Sequence, residues 1–214
     1  NLPAADKAKL RDFRVAVWAT DPIAPVAREV EERSLQVGAM LERLGARVSY
    51  NARPNFDLER AMINYQTLLN SVMTAAWDDQ TVAHMQTKVA ALEATDLSRD
   101  AVNARAAVLS HREWIRANSR REKLRHAWAE FFKDWDILVC PQMATEAFSH
   151  DHRPFKDRNL MVDGEQQPYV QQLMWAGIVV NSYLPSTVFP TGLSNNGLPI
   201  GLQAVSAPFR DYRC

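Results

Sequence analysis

Glycine is scarce in this chain, which has 7 glycines among 214 residues, about half of the roughly 7% that is usual in proteins. Backbone cradles for phosphate and for oxyanions are built from glycine-rich loops, so such loops are not expected here. The sequence contains none of the patterns GxGxxG, GxxxxGKS/T, GxSxG and HExxH. These absences exclude the common dinucleotide, P-loop, α/β-hydrolase and zinc-protease sites.

Other absences narrow the class of protein further. Only two cysteines are present, Cys140 and Cys214, which is too few for a disulfide framework and predicts a reducing, cytoplasmic location. No run of about 18 apolar residues indicates a membrane span. Lys and Arg together number 25, as do Asp and Glu, so nothing in the charge balance points to a nucleic-acid partner or an anionic membrane.

Residues 1–55 are predicted to form a βαβ unit. Arg14 to Ala19 is an apolar strand, Asp21-Pro22 is typical of a helix start, and ARVSYN after Gly45 predicts a second strand. Between them, apolar residues follow one helical face, at Val26, Val30, Val37, Leu41 and Leu44. A strand, helix and strand in this order give the sheet a parallel component.

Residues 56–135 are predicted to be a helical block. A long helix is expected from Asp100 to Trp135, with a break near Asn118 and Ser119. Large apolar side chains follow one of its faces, at Trp114, Leu124, Trp128, Phe131 and Trp135. Such a stripe is typical of core packing rather than of a cofactor site.

Residues 136–214 are predicted to be mixed β structure with one long loop. Ile137 to Cys140 is a short buried strand, residues 142–167 form the loop, and PYVQQLMWAGIVVNSY forms a helix. Ser186–Phe189 and Ile200–Val205 are predicted to be neighbouring, mostly buried strands of a hairpin with its bend at 195–197. The order of elements indicates an α/β protein with a mixed sheet covered by helices.

Few residues combine into a recognisable chemical site. His150 and His152 could share a metal ligand sphere, but a tetrahedral site needs further ligands, so we expect no metal and interpret the segment as a hydrogen-bonded surface loop. Cys140 has no neighbouring base and is interpreted as a buried thiol rather than a nucleophile. The basic helix around Arg120 carries its charges opposite an apolar face, which indicates solvation rather than phosphate binding. No cofactor is expected.

The last segment, LPSTVFPTGLSNNGLPIGLQAVSAPFRD, resembles the carboxyl-terminal part of the amidase signature family. In that family a P-x-x-x-x-P-x-G strand precedes G-L-P-x-G-x-Q and an Asp-containing stretch. The matching residues are Pro185, Pro190, Gly192, Gly197, Leu198, Pro199, Gly201, Gln203 and Asp211. The segment DILVCP at 136–141 is similar to the family's D-x-L-x-x-P strand, Asn181 matches an Asn ahead of the next strand, and the likeness extends over nearly the whole chain.

The resemblance implies one large mixed sheet wrapped by helices, and hydrolysis of a carboxamide by a serine nucleophile, a second serine and a lysine. Those catalytic residues belong to a glycine- and serine-rich signature that is absent here, and the chain starts without an initiator Met. We therefore expect the carboxyl-terminal half of an amidase, with no catalytic residue of its own and no activity alone.

By the same resemblance, the loop after Pro141 and the helix before Asn181 are expected to surround the acyl group of a small-molecule amide in the complete enzyme. The substrate-binding candidates are Met143, Thr145, Met174 and Trp175, and plain core packing is the alternative for all four. The expected partner is an amino-terminal half, and without it the chain is expected to expose an apolar surface and to self-associate. The competing interpretation of the whole chain is a non-catalytic binding or scaffold domain.

Overall fold

The computed structural model describes residues 1–214 apart from the side chain of Lys156. The chain forms two compact units, one made of residues 1–55 and 127–214 and the other of residues 56–126. The first unit contains the β-sheet, and the second is helical.

The first unit is built on a mixed five-stranded sheet with the order β2-β1-β3-β7-β6. Its strands are β1 (Arg14–Val17), β2 (Arg47–Ser49), β3 (Ile137–Pro141), β6 (Ser186–Leu193) and β7 (Pro199–Val205). β1 pairs in parallel with β2 and β3, whereas β7 pairs antiparallel with β3 and β6. The sheet confirms the predicted α/β class with a mixed sheet, including the βαβ unit and the strand before Pro141.

Helix α1 (Arg28–Arg43) connects β1 to β2 and begins later than the sequence indicates. The predicted start at Asp21-Pro22 was wrong, because Asp21 and Ala24 close a tight turn by bridging each other and Pro25 follows. The buried face of α1 consists of Val30, Ser34 and Gly38. The predicted apolar stripe is only partly buried, with Leu44 exposed beyond the end of the helix.

Glycine ends α1 as its sequence indicates. Gly45 has a φ of 92°, the left-handed conformation in which helices commonly terminate and which side chains with a Cβ rarely adopt. Gly192 has a φ of 117° and lies at an irregularity of the β6–β7 pairing. A Cβ at Gly192 would lie 3.2 Å from Nη1 of Arg33, an α1 residue. Both glycines are therefore required by the local backbone.

The hairpin of β6 and β7 forms as predicted, with its turn at 195–197, but the predicted burial of Ser186–Phe189 was wrong. β7 lies inside the sheet, and Ile200, Leu202 and Val205 are buried. β6 is an edge strand, and Val188 is 56% exposed. An apolar edge strand pairs on one side only and has uncovered faces, so its composition does not guarantee burial.

The predicted loop at 142–167 contains further structure. β4 (Asn159–Val162) and β5 (Glu165–Pro168) form a separate antiparallel hairpin with Leu160 and Val162 buried. A short 3-10 turn at Tyr169–Gln172 leads into helix α6 (Leu173–Val180), which confirms the predicted helix ahead of Asn181.

The second unit contains α2 (Leu58–Met73), α3 (Asp79–Ala90), α4 (Arg99–Ala107) and the first part of α5 (His111–Asp134). Side chains of Asp57, Asp78 and Ser98 accept hydrogen bonds from backbone N–H groups at the starts of α2, α3 and α4, which is the usual way to satisfy those donors. The predicted break near Asn118 was wrong, because α5 is continuous there and the helical region is interrupted at 108–110 instead.

The part of the stripe on α5 that belongs to the first unit packs around Trp128. Trp128 is fully buried, with its ring 5.7 Å from that of Phe132 and 5.7 Å from that of Phe131. These contacts confirm the packing interpretation for this part of the stripe. No helix in the described residues is long and apolar enough to cross a membrane.

A buried carboxylate holds together the amino-terminal edge of the sheet. Asp136, which precedes β3, is 2% exposed. It accepts hydrogen bonds from the backbone N of Arg14 at 2.8 Å, from Nε of Arg14 at 3.1 Å and from Nζ of Lys7 at 2.5 Å. Nη1 of Arg213 lies 3.7 Å from Oδ1 of Asp136, and Arg213 also pairs with Asp6. One side chain thereby joins both terminal segments to the starts of β1 and β3.

These contacts determine the ionisation of Asp136. Burial alone would raise the pKa of this carboxyl, but the hydrogen bonds from Arg14 and Lys7 outweigh burial and lower the pKa from 3.8 to about 2. Because the folded-state pKa is depressed, the charged group stabilises the fold above about pH 4, and that contribution is lost as the pH falls through about 2.

Replacement of Asp136 by Asn should lower the free energy of unfolding by about 3 kcal/mol at pH 7, because two cations and a backbone N–H lose their charged acceptor. Urea denaturation at several pH values measures the difference between wild type and variant, which should shrink from about pH 4 downward. The control Asp134→Asn removes the same charge from an exposed neighbour and should change stability by less than about 0.5 kcal/mol. Equal effects of the two substitutions would contradict a structural role for Asp136.

Candidate functional site

The carboxyl ends of β1 and β3 lie side by side and define the candidate site. The two strands are parallel, and the backbone N–H of Trp18, just beyond β1, donates to the carbonyl oxygen of Val139 at 2.9 Å. In open α/β sheets, ligands bind outside the carboxyl ends of the parallel strands. The segments that leave β1 and β3 at this edge, beginning at Trp18 and Gln142, are therefore the first place to look for a site.

A buried side-chain amide connects three elements at this edge. Gln203 on β7 is 3% exposed. Its Nε2 donates to the carbonyl oxygens of Pro141 at 2.9 Å and of Trp175 at 3.1 Å, and its Oε1 accepts from Oγ of Ser186 at 2.9 Å. The amide thus links the end of β3, helix α6 and the edge strand β6, and both its nitrogen and its oxygen are satisfied.

An aromatic pair lies beneath the same edge. The rings of Trp18 and Trp175 meet edge to face with centroids 5.6 Å apart, and Nε1 of Trp175 donates to the carbonyl oxygen of Ala24 at 3.2 Å. The guanidinium of Arg53 lies 5.1 Å from the centroid of Trp18 and donates to the carbonyl oxygen of Val17 at 3.1 Å. A cation over an indole ring stabilises this arrangement.

The structure brings together the two segments that carry the predicted substrate-binding residues. The backbone N–H of Ala144 donates to Oε1 of Gln172 at 2.9 Å, which places the loop after β3 against the start of α6. Met143 and Thr145 flank Ala144 and are half-buried, whereas Met174 and Trp175 are buried on α6. Trp175 is 1% exposed and packs in the core. The side chains of Met143 and Thr145 are therefore more accessible to a ligand than that of Trp175.

Two buried donors at this edge have no acceptor among the described residues. They are Nε1 of Trp18 and Nε2 of Gln172, whose residues are both buried. A buried polar group is normally hydrogen-bonded to protein or to water, so each exception needs an explanation. An oxygen atom of a water or of a bound small molecule would satisfy each of them.

The thiol at the end of β3 is not a nucleophile. Cys140 is 0% exposed, and burial raises the pKa of its thiol to about 12, although hydrogen bonding to Gln203 and the charge of Arg53 act in the opposite direction. The thiolate is the reactive form, so Cys140 remains inert near neutral pH. Within the described part of the chain, no serine hydroxyl is hydrogen-bonded to a lysine.

His150 and His152 lie together in the loop after β3, with ring centroids 6.0 Å apart. Among the residues that the structure describes, no group of three or more His, Cys, Asp and Glu side chains converges as a metal site would require. The expectation that these histidines hold no metal stays a prediction.

Sequence reasoning alone missed several residues of this edge. Gln203 belongs to the GLPIGLQ segment, so motif resemblance indicated its position without its contacts. No motif marks Trp18, Arg53 or Gln172. Their contacts join parts of the chain that are distant in sequence, as the hydrogen bond between Ala144 and Gln172 does, and only the fold brings these parts together.

Comparison with protein families gives a match over residues 1–214 to the family described as Amidase. Similar proteins include a glutamyl-tRNA(Gln) amidotransferase subunit from Prochlorococcus marinus, 26% identical over 204 residues, covering 87% of this chain and 40% of that protein. An indoleacetamide hydrolase from Bradyrhizobium diazoefficiens is 28% identical over 115 residues, covering 51% of this chain and 20% of that protein.

Solved structures give the same result for the fold. A crystal structure of an amidase superposes with a TM-score of 0.69 at 16% identity, covering 100% of this chain and 45% of that one. A bacterial aryl acylamidase of the amidase signature family superposes with a TM-score of 0.64 at 16% identity, covering 94% of this chain and 41% of that one. This chain therefore spans less than half of the length of these relatives.

Replacement of Gln203 by Met should lower the free energy of unfolding by about 3 kcal/mol, because the buried carbonyl oxygens of Pro141 and Trp175 lose their donor. Urea denaturation measures the change. Gln166→Met is the matched control, since Gln166 is exposed on β5, and it should change stability by less than about 0.5 kcal/mol. A Gln203→Met variant as stable as this control would show that the amide does not hold the edge together.

Proposed function

Because this chain belongs to the amidase family, we propose that it forms part of an enzyme that hydrolyses the C–N bond of a carboxamide. The observation that carries the proposal is the family match over residues 1–214. The carboxyl-edge geometry supports it, since the loop after β3 and helix α6 meet there and two buried donors have no acceptor within the described part of the chain. The substrate we propose is a small-molecule amide, and the support for it is that one similar protein is an indoleacetamide hydrolase.

The reaction we propose passes through an acyl-enzyme. A serine hydroxyl attacks the amide carbon, the tetrahedral intermediate collapses with cleavage of the C–N bond, and the amine leaves with a proton. Water then attacks the acyl ester and releases the carboxylic acid. The serine and the groups that activate it would come from residues other than these 214.

In this mechanism the chain supplies scaffold and part of the substrate pocket. Met143 and Thr145 would contact the acyl group from the loop after β3, with Met174 and Trp175 behind them on α6. The Gln203 amide would fix the relative positions of the loop and the helix, because it bonds to Pro141 and Trp175 together. Such positioning affects the reaction rate, because a small displacement of the bound substrate from the reacting group lowers the rate strongly.

The partner we propose is an amino-terminal portion of the same amidase. It would pair with the edge strand β6 and cover its exposed apolar side chains, including Val188 and Leu193. Unpaired backbone groups along an edge strand are a template for strand addition, which also makes self-association the expected behaviour of the chain alone.

A non-catalytic binding or scaffold domain is the alternative. Such a domain is compatible with the same fold, because fold alone does not determine function. The two proposals differ in what happens when the chain meets its partner, since only the amidase proposal requires hydrolysis in the assembled protein.

The chain alone should release no ammonia from simple carboxamides such as phenylacetamide and indole-3-acetamide. The physical reason is the lack of a serine–serine–lysine set, whose loss in a hydrolase costs on the order of a millionfold in rate. A coupled ammonia assay measures release against a mock purification from cells that do not express the chain. Reproducible release above the mock level would overturn the proposed inactivity.

Addition of the separately expressed amino-terminal portion should convert the self-associated chain into a defined complex with a higher melting temperature, because a partner that binds only the folded form stabilises it. Light scattering and thermal melting measure both effects. Val188→Lys, on β6, should prevent the increase in melting temperature, and the control Leu97→Lys, an exposed residue of the helical unit, should not. A monodisperse monomer whose melting is unchanged by the partner would favour the scaffold alternative.

A further inference from the structure

A cavity of about 300 Å³ lies in the loop between β3 and α6, outside the carboxyl-edge site. We call it the loop pocket. Its lining includes Phe148, His150, His152, Arg158, Leu160 and Tyr169. Its size lies at the lower end of the range of small-molecule sites. Nothing in the mechanism above uses this cavity.

One side of the loop pocket is aromatic and apolar. Phe148 and Tyr169 meet edge to face with ring centroids 5.8 Å apart, and Leu160 is buried. Phe148 remains 39% exposed, although it lies beside another aromatic ring. A flat ring of a ligand could pack against these two rings, as aromatic groups do in protein interiors.

The other side of the loop pocket carries positive charge. The guanidinium of Arg158 lies 5.9 Å from the ring centroids of Phe155 and Tyr169, and its Nε donates to the carbonyl oxygen of Arg153 at 2.7 Å. Among the described residues, no carboxylate is within ion-pair distance of Arg158. Within the described part of the chain its guanidinium therefore has no directly paired carboxylate, although its charge also acts on Asp151 and lowers the pKa of that carboxyl.

The acidic residue of the lining is already paired. Asp151 accepts from Nε and Nη2 of Arg153 at distances of 2.7 to 3.1 Å. The hydrogen bonds from Arg153 lower the pKa of the Asp151 carboxyl to about 2, so it is ionised near neutral pH and its charge is balanced by Arg153. His150 and His152 add further imidazole groups that can donate hydrogen bonds to a carboxylate.

We propose that the loop pocket binds a small aromatic carboxylate, with its ring against Phe148 and Tyr169 and its carboxylate on Arg158 and the two histidines. A cavity of about 300 Å³ has room for one or two fused rings with a short acid side chain. We identify that acid with the carboxylic acid released by amide hydrolysis, and this identification rests on the proposed function. The binding itself does not, because it requires only the residues of this chain.

The test is a titration of the 214-residue chain with phenylacetate and with indole-3-acetate, followed by saturation-transfer NMR and calorimetry. Binding is expected with a dissociation constant on the order of 1 mM or tighter. Cyclohexylacetate keeps the charge without the aromatic ring, and indole-3-acetamide keeps the ring without the charge. Each should bind at least about fivefold more weakly than its aromatic acid.

Two variants of Arg158 and one control variant test the ionic contact. Arg158→Gln should weaken binding of the aromatic acids about tenfold, because a charge-assisted hydrogen bond is lost. Arg158→Lys keeps the positive charge, and its affinity for the aromatic acids should lie within about threefold of that of the wild type. This variant distinguishes an effect of the lost charge from an effect of a disturbed loop. Arg112→Gln, an exposed residue of the helical unit, is the matched control and should bind as wild type does. Unchanged melting temperatures establish that all three variants are folded.

Absence of binding at about 10 mM ligand, or an Arg158→Gln variant that binds as well as wild type, would overturn the loop-pocket proposal. Equal binding of indole-3-acetamide and indole-3-acetate would overturn the ionic recognition, and equal binding of cyclohexylacetate and phenylacetate would overturn the aromatic one. None of these results depends on turnover. Failure of the amidase proposal appears instead as a lack of hydrolysis in the assembled protein.

Discussion

The site depends on one buried amide. Gln203 donates to the carbonyl oxygens of Pro141 and Trp175 and accepts from Ser186. The end of β3, helix α6 and the edge strand are therefore all hydrogen-bonded to one side chain. A carboxylate could not replace it, since an acceptor-only group cannot donate to two carbonyls. An apolar side chain would leave those carbonyls without partners. The residue at position 203 must therefore donate hydrogen bonds to two carbonyl oxygens and accept one from a hydroxyl, which a side-chain amide can do.

The two edges of the sheet are held in different ways. At the amino-terminal edge, Asp136 accepts ionic hydrogen bonds from Lys7 and Arg14. At the carboxyl edge, the Trp18–Trp175 pair is joined by the guanidinium of Arg53, which lies over the Trp18 ring. Both edges therefore contain a cation, which pairs with a carboxylate at the amino-terminal edge and lies over an indole ring at the carboxyl edge.

Sequence patterns predicted the parts of the fold that depend on local chemistry. Apolar runs located β1, β3 and β7, and Gly45 marked the end of α1 because only glycine adopts that backbone readily. Burial of β6 could not be predicted from its composition, since burial depends on what covers a strand and not on what the strand contains. The start of α1 was misplaced for a related reason, as Asp21 closes a turn with Ala24 instead of capping a helix. The site contacts of Gln172 and Arg53 required the tertiary fold.

The parallel pairing of β1 with β3 also determines when the sheet can form. Val15 pairs with Ile137, and the whole helical unit at 56–126 lies between them in the chain. β1 cannot pair with β3 until a strand more than a hundred residues downstream has been made, and contacts between residues so far apart in the chain form slowly. During synthesis, therefore, β1 leaves the ribosome long before β3, and an apolar strand stays unpaired on that side in the interval. An exposed apolar strand of this kind is prone to aggregation, and closing the long connection between β1 and β3 has an entropic cost that opposes sheet formation.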